Sequence, residues 1–284
     1  MSTRFVSILK YLNLFLLIIL FPTFIACNDN ISLNAPKGLI IILKADDLGE
    51  ISPNWNKFMN IVINDSICAG VGIISNNVKT KSAIEEIKRF SLIKQYNKFP
   101  VIEFWNHGFD HSKNKNNTEF DGTNFDYQMY HIQMSQRYFY NTLQLTSHCF
   151  SAPFNRTGIV TDEVLKSFPE INIWLYYNKL EVQTKPGWKN PNNETIRPND
   201  QHIILNIDYL YFHGFPIDNI IENFNQDNNK PYIVIQIHPA MWNNNNFVDF
   251  EKLIHFYKQN HLATFMTPYE YYQFLHKKYT ADDI

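Results

Sequence analysis

Cysteine is scarce, with three residues in a chain of 284: Cys27, Cys68 and Cys149. That number excludes a disulfide-built scaffold, and their spacing forms no metal motif. Cys68 and Cys149 lie in apolar, strand-like surroundings, where buried free thiols are expected rather than a disulfide. Charge is sparse as well, at 18% of residues, with 25 basic and 27 acidic side chains. No basic block exceeds a few residues, which argues against nucleic acid as a partner. Internal repeats and any sign of a second domain are missing too. What is present is 45% hydrophobic residues, enough at this length to bury a sizeable core in one domain.

The longest apolar stretch is N-terminal. Arg4 and Lys10 precede Tyr11 to Ile25, a run broken only by Asn13, Pro22 and Thr23. A charged start, an apolar middle and a small residue before a polar border describe an export signal. The border reads Phe24-Ile25-Ala26-Cys27 and then Asn28-Asp29-Asn30, which resembles a bacterial lipoprotein signal with Cys27 as the lipidated first residue. The expectation is a signal over 1–26, a tether over 27–37 and a catalytic domain over 38–278, exported and membrane-anchored at the bacterial cell envelope. The alternative is an uncleaved single N-terminal transmembrane anchor, near the lower length limit for a span. Removing 1–26 takes away two basic residues, so 25 less two leaves 23 against 27 acidic and a charge of −4.

Beyond residue 38, apolar strand-like runs alternate with helical patterns. Strands are expected at 39–45, 69–75, 101–106, 148–152, 171–177, 202–207, 232–237 and 262–266. Helices are expected near 54–65, 80–95, 125–145, 161–168, 216–224, 247–260 and 268–278. In 80–95, Ala83, Ile84, Ile87, Phe90 and Ile93 recur at helical spacing. Strands separated by helices imply a parallel sheet, and this number of units suits a single-domain α/β barrel better than an open doubly wound sheet. Residues 178–201 and the Asn clusters at 113–117, 225–229 and 243–246 read as polar loops.

Three of the apolar runs end in chemistry-bearing residues. Asp46-Asp47 follow the first, His107 and His111 the third, and His238-Pro239 the run 232–237. In a β/α barrel those ends converge on one face. Two histidines and a carboxylate suit a divalent metal, leaving a second carboxylate and a third histidine for proton transfer: the outline of a metal-dependent hydrolase. Each motif alone has an ordinary reading. Asp-Asp can cap a helix or start a turn, His-Pro can be a turn, and chance supplies about 0.3 His pairs at a spacing of four. Their joint occurrence at three strand ends is what those readings do not account for.

In this order the motifs resemble those of the polysaccharide deacetylases of the NodB-homology type, carbohydrate esterase family 4, with this chain as a divergent member. The matching segments are Lys44-Ala45-Asp46-Asp47-Leu48-Gly49, His107-Gly108-Phe109-Asp110-His111, Phe150-Ser151-Ala152-Pro153-Phe154-Asn155 (in part) and Ile237-His238-Pro239. The resemblance spans residue 38 to about residue 275 and implies a distorted (β/α)7 barrel holding a divalent metal, commonly Zn2+. It implies Asp47, His107 and His111 as ligands, Asp46 as general base and His238 as general acid. The backbone N–H of Phe154 would hold the oxyanion beside Pro153. Trp105, Phe154 and Trp242 would offer flat faces to a glycan substrate, with core packing the alternative for each in a chain that is 15% aromatic, and Asn155 would offer a polar contact. Two departures stand out. No arginine precedes Pro153, Arg156 lying beyond it, and the family's fourth motif is not recognisable, with Trp174 and Asp208 as nominal stand-ins. Three functions are therefore carried forward: a deacetylase of an N-acetylated glycan, another metal-dependent amide or ester hydrolase, and a catalytically silent glycan-binding protein.

Overall fold

A stretch as continuously apolar as Leu39-Ile40-Ile41-Ile42-Leu43 has no face to offer water, so it forms a strand covered on both sides. In the computed structural model, which describes residues 38–176, 202–211, 221, 230–259 and 263–282, that stretch opens β1 (Leu39–Leu48). β1 is the axis of a nine-stranded sheet completed by β2 (Ala69–Ile73), β3 (Ile102–Asn106), β4 (Cys149–Phe150), β5 (Ile173–Tyr176), β6 (Ile203–Asn206), β7 (Tyr209–Tyr211), β8 (Tyr232–Ile237) and β9 (Ala263–Phe265). The order is β6-β5-β4-β3-β2-β1-β8-β7, with β9 beside the start of β1, and every pairing is parallel.

The two ends of this order are one piece of chain. β6 pairs with β5, the chain switches partner at Ile207-Asp208, and β7 pairs with β8. The switch is stitched by Ile207 N–H to Tyr176 O and Asp208 N–H to Val234 O, both 2.9 Å. The Asp208 carboxylate also accepts from Val234 N–H at 2.9 Å and from Lys230 at 3.0 Å. With β6 and β7 counted as one bent stave, and β9 off the main path, the sheet is a distorted seven-stave β/α barrel.

Helices α1 (Pro53–Asn64), α2 (Lys81–Ser91), α3 (Phe125–Tyr138), α4 (Thr161–Lys166), α5 (Asn244–Gln259) and α6 (Pro268–Asp282) connect or follow the strands. Ser52, Thr80 and Asn124 cap α1, α2 and α3 by each accepting the backbone N–H three residues on. The expected loop at 243–246 is instead a helix start. Asn243 Oδ1 accepts the N–H groups of Asn245 and Asn246, while Asn246 Oδ1 accepts Asn243 N–H, a reciprocal cap. The expected helix near 216–224 lies largely outside the described residues. The loops 178–201 and 225–229, the signal segment, Cys27 and the tether lie outside them entirely.

Strand alternation divides the core. Ile41, Leu43 and Ala45 face outward onto the helices with Trp55, Phe58, Phe250 and Leu253. Ile40 and Ile42 face inward with Cys149, Ile173, Leu175, Leu205 and Val234. Inward positions on β2 are Gly70 and Gly72, and the ring of Trp105 occupies the space they leave. A Cβ on Gly72 would stand 2.5 Å from that ring. Cys68 and Cys149 are buried free thiols, and burial pushes both well above the ordinary thiol range.

The barrel floor is closed by the start of α6. Glu103, inward on β3, accepts Tyr269 N–H at 2.8 Å through one oxygen, while the other has no partner. Burial pushes the Glu103 carboxyl up from 4.5 to about 7. A raised carboxyl holds its proton longer folded than unfolded, so stability falls as pH rises between about 4.5 and 7, by on the order of 3 kcal/mol. Glu103→Gln should therefore be more stable than the wild type at pH 8 and gain little at pH 4.5, as measured by urea unfolding. An equal offset at both pH values would show that Glu103 does not titrate in this range.

Candidate metal centre

Successive residues of a strand point to opposite faces, so Asp46 and Asp47 cannot both face the barrel mouth from a regular β1. The structure resolves this with an irregularity. The β1–β2 register shifts between Ala45 and Leu48, and Asp47 takes φ 71°. Asp46 keeps the inward direction set by Ile42 and Lys44, and the twist brings Asp47 beside it. A left-handed non-glycine residue costs on the order of 1 kcal/mol, which local hydrogen bonding must offset.

His107 leaves the end of β3 with its N–H on Ile73 O (3.0 Å). Its Nδ1 lies 2.8 Å from Ser151 O, which places the proton on Nδ1 and turns Nε2 toward Asp47 Oδ1, 3.1 Å away. His111 Nε2 reaches the same oxygen at 3.0 Å. The three ligand atoms lie within 4.8 Å of one another. Two imidazoles and a carboxylate, one imidazole being oriented by a backbone carbonyl, form a donor set that fits a tetrahedral or five-coordinate divalent cation such as zinc. Asp47 would otherwise be raised by burial, but hydrogen bonds from His107 and His111 hold it well below the usual carboxylate range. Burial pulls His107 down, and Asp46 and Asp47 outweigh that and hold it above its ordinary value. In both cases the side chains are prepared for positive charge between them.

His238 follows β8 with Nε2 3.7 Å from Asp47 Oδ2. It is 5% exposed, and burial lowers its pKa against the pull of both aspartates. Asp46 has one carboxylate oxygen, Oδ2, in contact with the Lys44 ammonium and the other, Oδ1, buried without a partner. Asp46, Asp47, His107, His111 and His238 are thus brought together from three strand ends.

One residue that pattern reading did not single out shapes this site. Glu119 is fully buried and accepts the N–H groups of Phe109 (2.5 Å) and His111 (2.7 Å), together with a ring nitrogen of His131 at 2.9 Å. It clamps the turn carrying His111, which has φ 55°. Gly108, at φ 81°, is required there because a Cβ would stand 2.7 Å from Glu119 Oε2. Asp110, Glu119 and His131 also converge within ligand range of one another. Both Glu119 oxygens are already engaged by backbone N–H groups, so this cluster reads as a loop clamp. A carboxylate in a loop with no periodicity leaves no sequence signal.

Around the mouth, Phe154 (φ 59°) is 39% exposed, its ring 4.2 Å from that of His111 with the Lys113 ammonium 4.9 Å above it. Pro153 is buried against the Gly108 turn. Asn155 donates to Gln236 Oε1 at 2.8 Å, and its own Oδ1 has no partner. Two expected sugar faces are corrected. Trp105 is completely buried in the barrel interior because Gly70 and Gly72 leave it that space. Trp242 is packed in the outer core against Phe58, Phe247 and Phe250. Arg156 pairs with Asp121 at the surface, so it does not stand in for an arginine on Asp46. Trp174 belongs to the outer cluster with Phe120 and Phe150, and Asp208 to the β6–β7 switch.

No protein-family model matches the sequence, and no curated protein matches it. Solved structures do match the fold. The CE4 domain of a multidomain xylanase from the hindgut metagenome of Trinervitermes trinervoides aligns with TM-score 0.53 at 13% identity, covering 86% of this chain and 92% of that one. A family 4 acetyl xylan esterase from Clostridium thermocellum, in complex with a cobalt ion, aligns with TM-score 0.50 at 12% identity, over 83% of this chain and 91% of that one. A CE4 family pseudoenzyme from Bacillus anthracis aligns with TM-score 0.51 at 10% identity, over 83% and 66%. At these identities the likeness establishes the architecture: the chain has the distorted barrel fold of carbohydrate esterase family 4.

Proposed function

We propose that the chain is a divergent, metal-dependent deacetylase that hydrolyses acetamide groups of an N-acetylated glycan. The observation that carries this reading is the convergence of Asp47, His107 and His111 on one point, with Asp46 and His238 beside it. Asp47, His107 and His111 would hold the metal. When bound, it would acidify a water molecule and polarise the acyl carbonyl. Asp46 has an unengaged carboxylate oxygen with which to accept the proton of the attacking water. The Phe154 N–H, at the start of a one-turn 3-10 segment where such groups lack an internal partner, supports the developing oxyanion. His238 protonates the departing amine; its buried imidazole is a weak base and, once charged, a correspondingly strong acid. The half-exposed ring of Phe154 offers an apolar face for a sugar at the mouth.

The N-terminal pattern supports export and a lipid tether through Cys27, placing the substrate in the bacterial cell envelope or beyond it. Among the described residues no helix is long and apolar enough to cross a membrane. A second reading, a silent glycan-binding barrel, draws on the pseudoenzyme among the fold neighbours. Acetate release from chitooligosaccharides, peptidoglycan fragments and poly-N-acetylglucosamine decides among the three functions. Release from one of them by the zinc-loaded protein is the expected result. Zinc binding with cleavage only of non-acetyl amides or esters would favour the other hydrolase, and binding of glycan without turnover would favour the silent barrel.

A further inference from the structure

Lys44 is the one lysine in the barrel interior among the described residues, and its side chain is completely buried. Alternation along β1 dictates the position: 40, 42, 44 and 46 share the inward face, so Lys44 stands one inward step below Asp46. Its ammonium contacts Asp46 Oδ2 and lies 5.3 Å from the centre of the Trp105 ring, which Gly70 and Gly72 admit to the interior. A buried cation is tolerated only where it is paired, and the pair is costly to break from either side. Among the described residues no arginine pairs with Asp46, and Arg156 is engaged with Asp121 at the surface.

We propose that Lys44 is the positioning residue of the reaction: it pins Asp46 Oδ2 and leaves Oδ1 free to act as the base. The proposal rests on the deacetylase reading above. Supplying the charge from the strand that carries the base itself makes an arginine before Pro153 unnecessary. It also fixes which carboxylate oxygen is available, because Oδ2 is the oxygen engaged by Lys44 and also the one nearer His107, at 3.9 Å. The Lys44 ammonium contacts Asp46 Oδ2 and the Trp105 ring rather than the donor atoms of Asp47, His107 and His111, so its loss should act on turnover and leave substrate and metal binding intact.

The experiment compares wild type, Lys44→Met, Lys44→Arg, Asp46→Asn and Lys44→Met/Asp46→Asn, each assayed for zinc content, melting temperature and steady-state acetate release. Lys44→Met should keep zinc and KM and lose kcat about a hundredfold, the scale of a misplaced catalytic group. Lys44→Arg should stay within about tenfold of wild type. Asp46→Asn should cost only about tenfold more once Lys44 is gone, against about a thousandfold in the wild-type background, because both changes remove one unit. Unchanged kcat in Lys44→Met, or equal Asp46→Asn losses in both backgrounds, would overturn the proposal. If Lys44→Met does not fold, Lys44→Met/Asp46→Asn carries the test: it should fold and melt above the single variant, and a double variant no more stable than the single would refute the pairing. Failure of the zinc-loaded wild type to release acetate from any glycan would instead sink the reading on which the proposal rests.

Discussion

Asp46→Asn is expected to keep zinc bound and to lose acetate release by about a thousandfold, the middle of the range for removal of a general base. The substitution preserves shape, and asparagine still offers Lys44 an oxygen at the Oδ2 position. The ligand atoms are supplied by Asp47, His107 and His111, so the metal site does not depend on Asp46 for a donor. What disappears is an acceptor basic enough to take a proton from water. The change also strips a buried lysine of its counter-charge. Burial already lowers Lys44, and without the Asp46 charge it becomes easier still to discharge. The variant should therefore lose stability, by about 3 kcal/mol if Lys44 remains charged and by less if it releases its proton. Zinc stoichiometry and kinetics are to be measured well below its melting temperature. Residual kcat above a tenth of wild type with zinc bound would refute Asp46 as the base.

The parts of this protein that were legible in its sequence are those governed by short periodicities. The apolar spacing in 80–95 corresponds to α2, and the uninterrupted runs at 39–45 and 232–237 to two-sided strands. The convergence of Asp46, His107 and His238 followed from one topological rule about strand ends. Other features depend on contacts that no local pattern encodes. β7 is three residues long and exists because the chain changes partner at Asp208. Trp105 has the place of a sugar platform in the sequence, yet glycines on the neighbouring strand leave it the barrel interior to fill. Asn243–Asn246 has loop composition, but the reciprocal cap turns it into the start of α5. Simple alternation would separate the pair Asp46-Asp47, and only the positive φ at Asp47 shows how both reach one mouth. Glu119 gave no signal because its partners are backbone N–H groups, which carry no residue identity.

Replacing His107 and His111 together by alanine is expected to abolish both zinc binding and turnover. Two imidazole donors vanish, and Asp47 alone cannot hold zinc at micromolar concentrations against water. The wild type should bind about one zinc per chain and gain about 2.7 kcal/mol when free zinc exceeds the dissociation constant a hundredfold. For a domain of this size that gain corresponds to a rise in melting temperature of about 5–10 °C, and the double variant should show none. A second signature is independent of metal. In the metal-free wild type, Asp47 is held well below 3.8 by the two histidines, so its contribution is present above that pH and lost as pH falls below it. The double variant lacks that contribution, and its stability should fall less steeply on acidification. If the double variant retains one zinc per chain and the full zinc-dependent shift, Asp47, His107 and His111 are not the metal site. The hydrolytic reading then fails with them, because Asp46 and His238 would have no activated water or polarised carbonyl to work on.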